Sequence, residues 1–232
     1  MDAISGGMAE LRGEDAHHLA RVLRAGPGQR YEICDQQSVW LAEIVEAGPD
    51  RVLFRTVEEL GAAPLPVKIT ILAALVKFDR FEWMIEKAAE LGVERIAPVD
   101  AARSEKGLAE AAAKRSERWA RIAREAGRQS RRLRPPEILP AVSFSTAIAT
   151  DAGLRYFLEE ETAPPLLRLL PPERSSSDRV AVLVGPEGGW TASERDAATA
   201  VRWHAVSLAP TILRAETAAI AAAAILMNAW MR

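Results

Sequence analysis

The sequence predicts an α/β protein in two parts: a small β-rich module over residues 1–63, then a larger unit over residues 67–232 built on a parallel sheet. Three observations carry this reading. The first sixty residues hold short strand-like runs parted by turn residues. The segment Gly61-Ala-Ala-Pro64-Leu-Pro66 then interrupts all periodicity, and beyond it apolar runs of strand length alternate with stretches of helical spacing. Strand, helix and strand in succession imply parallel pairing, with helices covering both faces of the sheet.

In chain order, residues 31–35 (YEICD), 39–47 (VWLAEIVEA) and 51–60 (RVLFRTVEEL) read as strands, bounded by Gly26-Pro27-Gly28 and Gly48-Pro49-Asp50. Pro64 and Pro66 disfavour helix and central strand alike, which places the domain boundary there. Residues 67–75 (VKITILAAL) read as a buried strand. Residues 78–91 carry Phe81, Met84, Ile85 and Ala88 on one helical face, and Gly92 ends that helix. ERIAPV (94–99), a long basic helical stretch, LRYFLE (154–159), RVAVLVG (179–185), a helix after Thr191, WHAVSL (203–208) and a helix from near Ala215 to Met231 continue the alternation. No repeat of fixed period occurs, and residues 171–178 (PPERSSSD) read as a mobile surface loop.

With 232 residues and 49% hydrophobic content, the chain can support one ordinary domain and a smaller second one. No run approaches the roughly 20 apolar residues of a membrane span, and the opening MDAISGGMAELRGEDAHH lacks the basic-then-apolar layout of a signal peptide. The expected location is therefore the cytoplasm, with no membrane partner. A single cysteine, Cys34, excludes an intrachain disulfide and reads as a packing residue. His17, His18 and His204 offer no metal-ligand spacing, so no metal is expected. The formal charge of -2 announces no polyanionic partner, yet between positions 114 and 134 nine basic side chains stand against Glu117 and Glu125. There Trp119, Ile122, Ala123 and Ala126 form an apolar edge, and Arg118, Arg121, Arg124 and Arg128 turn outward. An arginine-rich helix face is as often simply solvated. Phosphate contact is favoured by the tail Gln129-Ser-Arg-Arg132-Leu-Arg134-Pro-Pro, which carries three arginines past the helix into a proline-bounded loop.

Two segments carry chemistry. The first, Leu183-Val-Gly-Pro-Glu-Gly-Gly189-Trp-Thr-Ala-Ser-Glu194, is a glycine-rich turn between an apolar strand and a helix. In parallel α/β sheets ligands bind beyond the carboxyl ends of strands, and glycine there lets the backbone approach a ligand closely. Thr191 and Glu194 fit the capping box that fixes the start of the helix. No Gly-Lys-Ser/Thr follows and no Gly-x-Gly-x-x-Gly is present, which disfavours pyrophosphate cofactors. The second segment, Ser207-Leu-Ala-Pro-Thr-Ile-Leu-Arg214-Ala-Glu216-Thr217, bends from a strand end into a small-residue helix. Capping accounts for Glu216 or Thr217, but it leaves Arg214 unexplained, because a cation sits poorly at a helix N-terminus. Arg214 is thus expected to face a carboxylate or a phosphate.

Together GPEGGWTASE and LAPTILRAETA resemble the paired signature of the RsmE family, SPOUT methyltransferases that modify N3 of a uridine in 16S ribosomal RNA. The resemblance runs from about Glu14 to Asn228: HHLARVLRAGPGQ is similar to the family's PUA-like RNA-binding module, KFDRFEWMIEKAAELGVERIAPVDAARSE to its first helical unit, and RWARIAREAGRQSRRLRPPEI to its Gln-Ser-x-Arg segment. It implies a C-terminal trefoil knot, an N-terminal PUA-like β-barrel, a homodimer, and S-adenosyl-L-methionine held largely by backbone groups of the two segments. The implied cofactor contacts are Leu75, Leu183, Gly185, Glu187, Gly189, Leu208, Ile212 and Leu213. The implied contacts to 16S rRNA of the small ribosomal subunit are Arg21, Arg24, Arg103, Gln129, Arg132 and Arg134. Arg214 is the candidate for stabilising a uracil anion, and Glu216 joins it as a candidate catalytic residue. The proton acceptor stays open between Glu187 and Glu216. Two departures stand out: MDAISGGMAEL does not supply the family's opening basic strand, and Ala209 and Thr211 replace a glycine and an arginine of Leu-Gly-x-Arg-Ile-Leu-Arg. The rival readings are a ribosome-assembly factor that has lost methyl transfer and a methyltransferase acting on another RNA nucleotide.

Overall fold

A computed structural model describes residues 4–35, 38–61 and 64–231, and the chain divides into units 1–63 and 64–232. The first unit contains strands β1 (Ile4–Ser5) and β2 (Met8–Arg12), helix α1 (Gly13–His17) with a π-helical turn over His18–Val22, and strands β3 (Arg30–Cys34), β4 (Val39–Ala47) and β5 (Arg51–Glu59). They form an antiparallel sheet in the order β1-β2-β5-β4-β3. Period-two alternation sends Ala42 and Ile44 of β4 and Val52 and Phe54 of β5 into a core shared with Ala16 and Leu19.

The opening segment corrects the expectation that it supplies no strand. Gly6 and Gly7, at φ +57° and +75°, make a two-residue hairpin turn that pairs Ser5 with Met8 and Ile4 with Ala9. Turns with two positive φ values match the twist of flanking strands, and glycine adopts them without a Cβ penalty. β2 then pairs with β5 along its length.

The second unit runs β6 (Lys68–Ala74), α2 (Phe78–Glu90), β7 (Arg95–Asp100), α3 (Leu108–Ala112), α4 (Ser116–Gln129), β8 (Glu137–Ile138), β9 (Val142–Ser143), α5 (Phe144–Ile148), β10 (Leu154–Leu158), β11 (Arg179–Val184), α6 (Ala192–Ala200), β12 (His204–Val206) and α7 (Ala215–Trp230). Its sheet is parallel, in the order β12-β10-β11-β6-β7-β8, with β9 also on β7. Both faces are buried. Ile69, Ile71 and Ala73 of β6 and Val180, Val182 and Val184 of β11 point to the core under α2, α4 and α7, while Leu72, Ala74, Ala181 and Leu183 point to a second core with Trp190 and Trp203. Such strands read as continuous apolar runs for this reason.

The basic stretch is carried by one helix, α4, as expected; a 3-10 turn at Ala113–Arg115 separates it from the short α3 that precedes the stretch. Residues 171–178 form the expected surface loop, and it has contacts to α7. Arg174 donates to the carbonyls of Pro171 and Ala229 and lies 5.5 Å over the Trp230 ring, and Trp230 Nε1 donates to Asp178 at 2.8 Å. The segment is thereby tied to the last turn of α7.

Candidate active site

A cavity of about 630 Å³ opens where β10, β11 and β12 end, with Leu158, Val184 and Val206 at its floor. Three loops wall it: residues 159–163, the glycine turn after β11, and residues 207–214, joined by Arg80 of α2 and by Ala215 and Ala218 of α7. Each loop is fixed by groups set back from the opening. In the glycine turn, Glu194 is only 7% exposed. Its Oε2 accepts from the backbone N–H and hydroxyl of Thr191 at 2.9 and 2.8 Å, and its Oε1 accepts from Ala102 N at 2.9 Å. The expected capping box is present, and the same carboxylate also pins the loop after β7 to α6. Trp190 is buried and donates its indole N–H to Leu158 O at 3.0 Å, so the glycine turn is anchored to the end of β10.

The loop after β10 has its own anchor. Arg195 of α6 donates to both Glu159 oxygens at 2.6 and 3.0 Å and reaches Glu161 at 3.0 Å, while the backbone N–H groups of Glu160 and Glu161 donate to Glu159 Oε1. Burial pushes the Glu159 carboxyl up, but the Arg195 hydrogen bonds and the two backbone donors together outweigh it and hold the group below its ordinary range.

Glycine is required at two points of this wall. A Cβ on Gly185 would lie 3.2 Å from the Trp190 indole. Gly189 has φ +66°, and a Cβ there would run into the Glu160 carboxylate. Without a Cβ at these positions, Trp190 and Glu160 pack directly against the backbone of the turn.

Of the residues expected at the cofactor, Gly185, Glu187, Gly189, Leu208, Ile212 and Leu213 line the cavity, and so does Arg214. Leu75 and Leu183 do not: they are 1% and 0% exposed and belong to the two sheet cores. Glu216 is 7% exposed and absent from the lining, and its Oε2 has no hydrogen-bond partner among the described residues. Ala209 and Thr211 both line the cavity, so the departures from the family pattern fall on its rim. Arg103 donates to Gly188 O at 2.6 Å and to Trp190 O at 3.5 Å, bracing the glycine turn from outside. Arg132 is turned inward. Its guanidinium donates to Ala89 O and Val93 O at 3.0 and 2.8 Å, where α2 ends, and burial lowers its pKa to about 10. Gln129 and Arg134 are exposed beyond this point, and Arg21 and Arg24 are exposed in the first unit. On the basic stretch Arg118 makes a two-point ion pair with Glu82 at 2.8 Å, whereas Lys114 and Arg124 are exposed.

The sequence reading missed Arg80 and the acidic run at 159–161. Arg80 sits in the first turn of α2 and pairs with Glu187 of the glycine turn. A cation in a first turn opposes the helix dipole, the same signal that marked Arg214.

The second unit is thus a parallel sheet with a glycine-turned cavity at its strand ends, and the first is an antiparallel sheet of its own. Residues 63–227 match the family described as RNA methyltransferase domain, and residues 11–57 match that described as RNA methyltransferase PUA domain. The ribosomal RNA small subunit methyltransferase E of Bacillus subtilis (strain 168) is 32% identical over 221 residues, which cover 90% of this chain and 85% of its own. The chain belongs to the ribosomal RNA small subunit methyltransferase E family. Among solved structures, the Neisseria gonorrhoeae methyltransferase E bound to S-adenosyl methionine superposes with a TM-score of 0.84 at 28% identity, covering 99% of this chain and 96% of that one. A Legionella pneumophila methyltransferase in complex with the bound cofactor SAM gives a TM-score of 0.81 at 28% identity, over 99% and 95%.

Proposed function

We propose that this protein transfers a methyl group from S-adenosyl-L-methionine to N3 of a uridine in the 16S rRNA of the small ribosomal subunit, acting in the cytoplasm as a homodimer whose C-terminal segment is knotted. The observation that carries the reading is the cavity itself, built from both signature segments and sized for a nucleoside-bearing ligand. Its residues fit the cofactor. Gly185 and Gly189 present backbone rather than side chain at the wall, Leu158, Leu208 and Leu213 offer apolar contact, and the Glu160 carboxylate suits a ligand that carries positive charge. When bound, that cofactor supplies a methyl group made electrophilic by its sulfonium.

The protein's own residues must do the rest. Uridine N3 carries a proton and lies on the pairing edge, so the base has to be unpaired or flipped and its imide charge stabilised. Arg214 is exposed on the cavity rim with no ion pair to a described residue, which leaves its guanidinium available to a uracil carbonyl oxygen. Lys114, Arg124, Gln129 and Arg134 in the second unit, and Arg21 and Arg24 in the first, supply RNA contacts in this reading. Ile212, 77% exposed at the cavity, and Leu167, 64% exposed, support an apolar contact with a second subunit. No helix among the described residues is long and apolar enough to cross a membrane.

Calorimetric titration with S-adenosylhomocysteine tests the reading. Wild type should bind stoichiometrically and saturably, and Gly185→Val should lose binding because its side chain displaces Trp190. A folded wild type that binds none would refute it.

A further inference from the structure

The geometry points to Glu187 as the acceptor of the uridine N3 proton and to Arg80 as the cation that holds the charge through the transfer. The inference rests on the methyltransferase reading above and goes beyond it by deciding which carboxylate acts. Four carboxylates line the cavity: Glu159, Glu160, Glu161 and Glu187. Glu159 and Glu161 are paired with Arg195, which lies outside the cavity lining, and Glu159 also accepts two backbone N–H groups, so protonating either would strand a cation that no substrate anion in the cavity could neutralise. Glu216, the other candidate from sequence, is buried and outside the lining. Glu160 packs against Gly189 and forms no ion pair with a described cation. Glu187 alone of the four is paired with a cation that itself lines the cavity.

That pairing has a chemical consequence. An imide N–H is a much weaker acid than a carboxylic acid, so a carboxylate can take its proton only if the anion left behind is stabilised more than the carboxylate was. Arg80 meets this need because its planar fork can serve two acceptors at once. Its side chain is 29% exposed, so the charge is partly shielded from water. Before transfer it neutralises Glu187. In the step itself the N3–H bond breaks, its electron pair stays on the uracil imide, and the proton goes to a carboxylate oxygen of Glu187, which later releases it to water. The negative charge moves from Glu187 to the uracil oxygens beside the same guanidinium, so no new charge separation arises. Uracil has a carbonyl on each side of N3, and the cavity offers two guanidinium groups, Arg80 and Arg214, from different elements. Other charged groups near the cavity among the described residues include Arg103, on the carbonyl of Gly188, and Glu159, Glu160 and Glu161 of the opposite loop with the Arg195 that pairs with Glu159 and Glu161.

The test is the pH dependence of single-turnover methylation of small ribosomal subunits lacking the modification, with S-adenosylhomocysteine affinity measured alongside. Glu187→Gln should slow turnover at neutral pH by roughly 100-fold or more, the range of a lost general base, with cofactor affinity within about threefold of wild type. The deficit should shrink as pH rises, because hydroxide then makes the uridine anion without the enzyme. Arg80→Gln should lose a similar factor, Arg80→Lys should recover much of it, and the double variant Arg80→Gln/Glu187→Gln should be little worse than either alone, as for groups acting as one unit. A Glu187→Gln deficit constant with pH, or one matched by lost cofactor affinity, overturns the proposal, as does a pH-dependent deficit found in Glu160→Gln instead. If wild type methylates RNA and Glu187→Gln equals it, the assignment of the pair fails and the methyltransferase reading stands. A wild type that methylates no RNA takes down both.

Discussion

Replacing Arg195 by alanine isolates the group that holds the acidic wall of the cavity. The side chains of Arg195 and Glu159 are 22% and 6% exposed, so the substitution leaves a nearly buried carboxylate without its cation. Removing one partner of such a pair costs about 3–5 kcal/mol. Because the N–H groups of Glu160 and Glu161 still donate to Glu159, the lower end, about 3 kcal/mol, is expected. For a unit of this size that corresponds to a fall in Tm of roughly 6–12 °C. Thermal unfolding followed by tryptophan fluorescence reads it, since every tryptophan except Trp40 lies in the second unit. The deficit should depend on pH with a definite sign. Glu159 is held below its ordinary value of 4.5, so its contribution is present above that pH and is lost as pH falls through the lowered folded value. Wild type should therefore converge on Arg195→Ala in acid. Adding Glu159→Gln removes the stranded charge, so the double variant should be more stable than Arg195→Ala alone. A Tm within about 1 °C of wild type, or a double variant no more stable than the single one, would refute the reasoning.

Three further outcomes are expected. Gly189→Ala places a Cβ at φ +66° against Glu160, and the roughly 1–2 kcal/mol penalty of that backbone region should lower the Tm by roughly 2–8 °C; an unchanged Tm would show that the turn does not need glycine there. Arg132→Ala should lower thermal stability yet leave the salt dependence of RNA binding as in wild type, because its guanidinium serves Ala89 O and Val93 O. Lys114→Ala and Arg124→Ala should each reduce the salt slope by about one, and a larger slope change for Arg132→Ala would reverse the assignment. Trp230→Phe removes the indole donor to Asp178 and should cost about 1 kcal/mol, read as a Tm drop of roughly 2–4 °C; no change would mean that residues 171–178 are held by Arg174 alone.

What sequence could show follows from the range over which each signal acts. Strands β6 and β11 were legible because alternate residues enter two cores, so beyond Thr70 and Arg179 no polar position breaks the run. The helix after Thr191 was legible because Thr191 and Glu194 are three residues apart, within one turn of each other. The β1–β2 hairpin escaped because two- and five-residue strands flanking Gly6-Gly7 are too short to establish alternation. The acidic run at 159–161 reads as a solvated edge until Arg195, 36 residues further on, is placed beside it. Arg132 stood in a basic context that suggests phosphate, and only the packing of its loop against the end of α2 turns it inward.

Arg80 and Arg214 lie between these extremes. Each is a cation where the helix dipole already supplies positive charge, Arg80 in the first turn of α2 and Arg214 at the N-cap of α7, and that conflict is visible from local sequence alone. What cannot be seen locally is that both helices begin at the same cavity. Two like charges added to two positive helix ends repel one another, and Glu187 offsets only one of them among the described residues. In the step inferred above, the proton passes to Glu187 and the negative charge to the substrate imide, so Arg80 keeps an anionic partner throughout and Arg214 gains one.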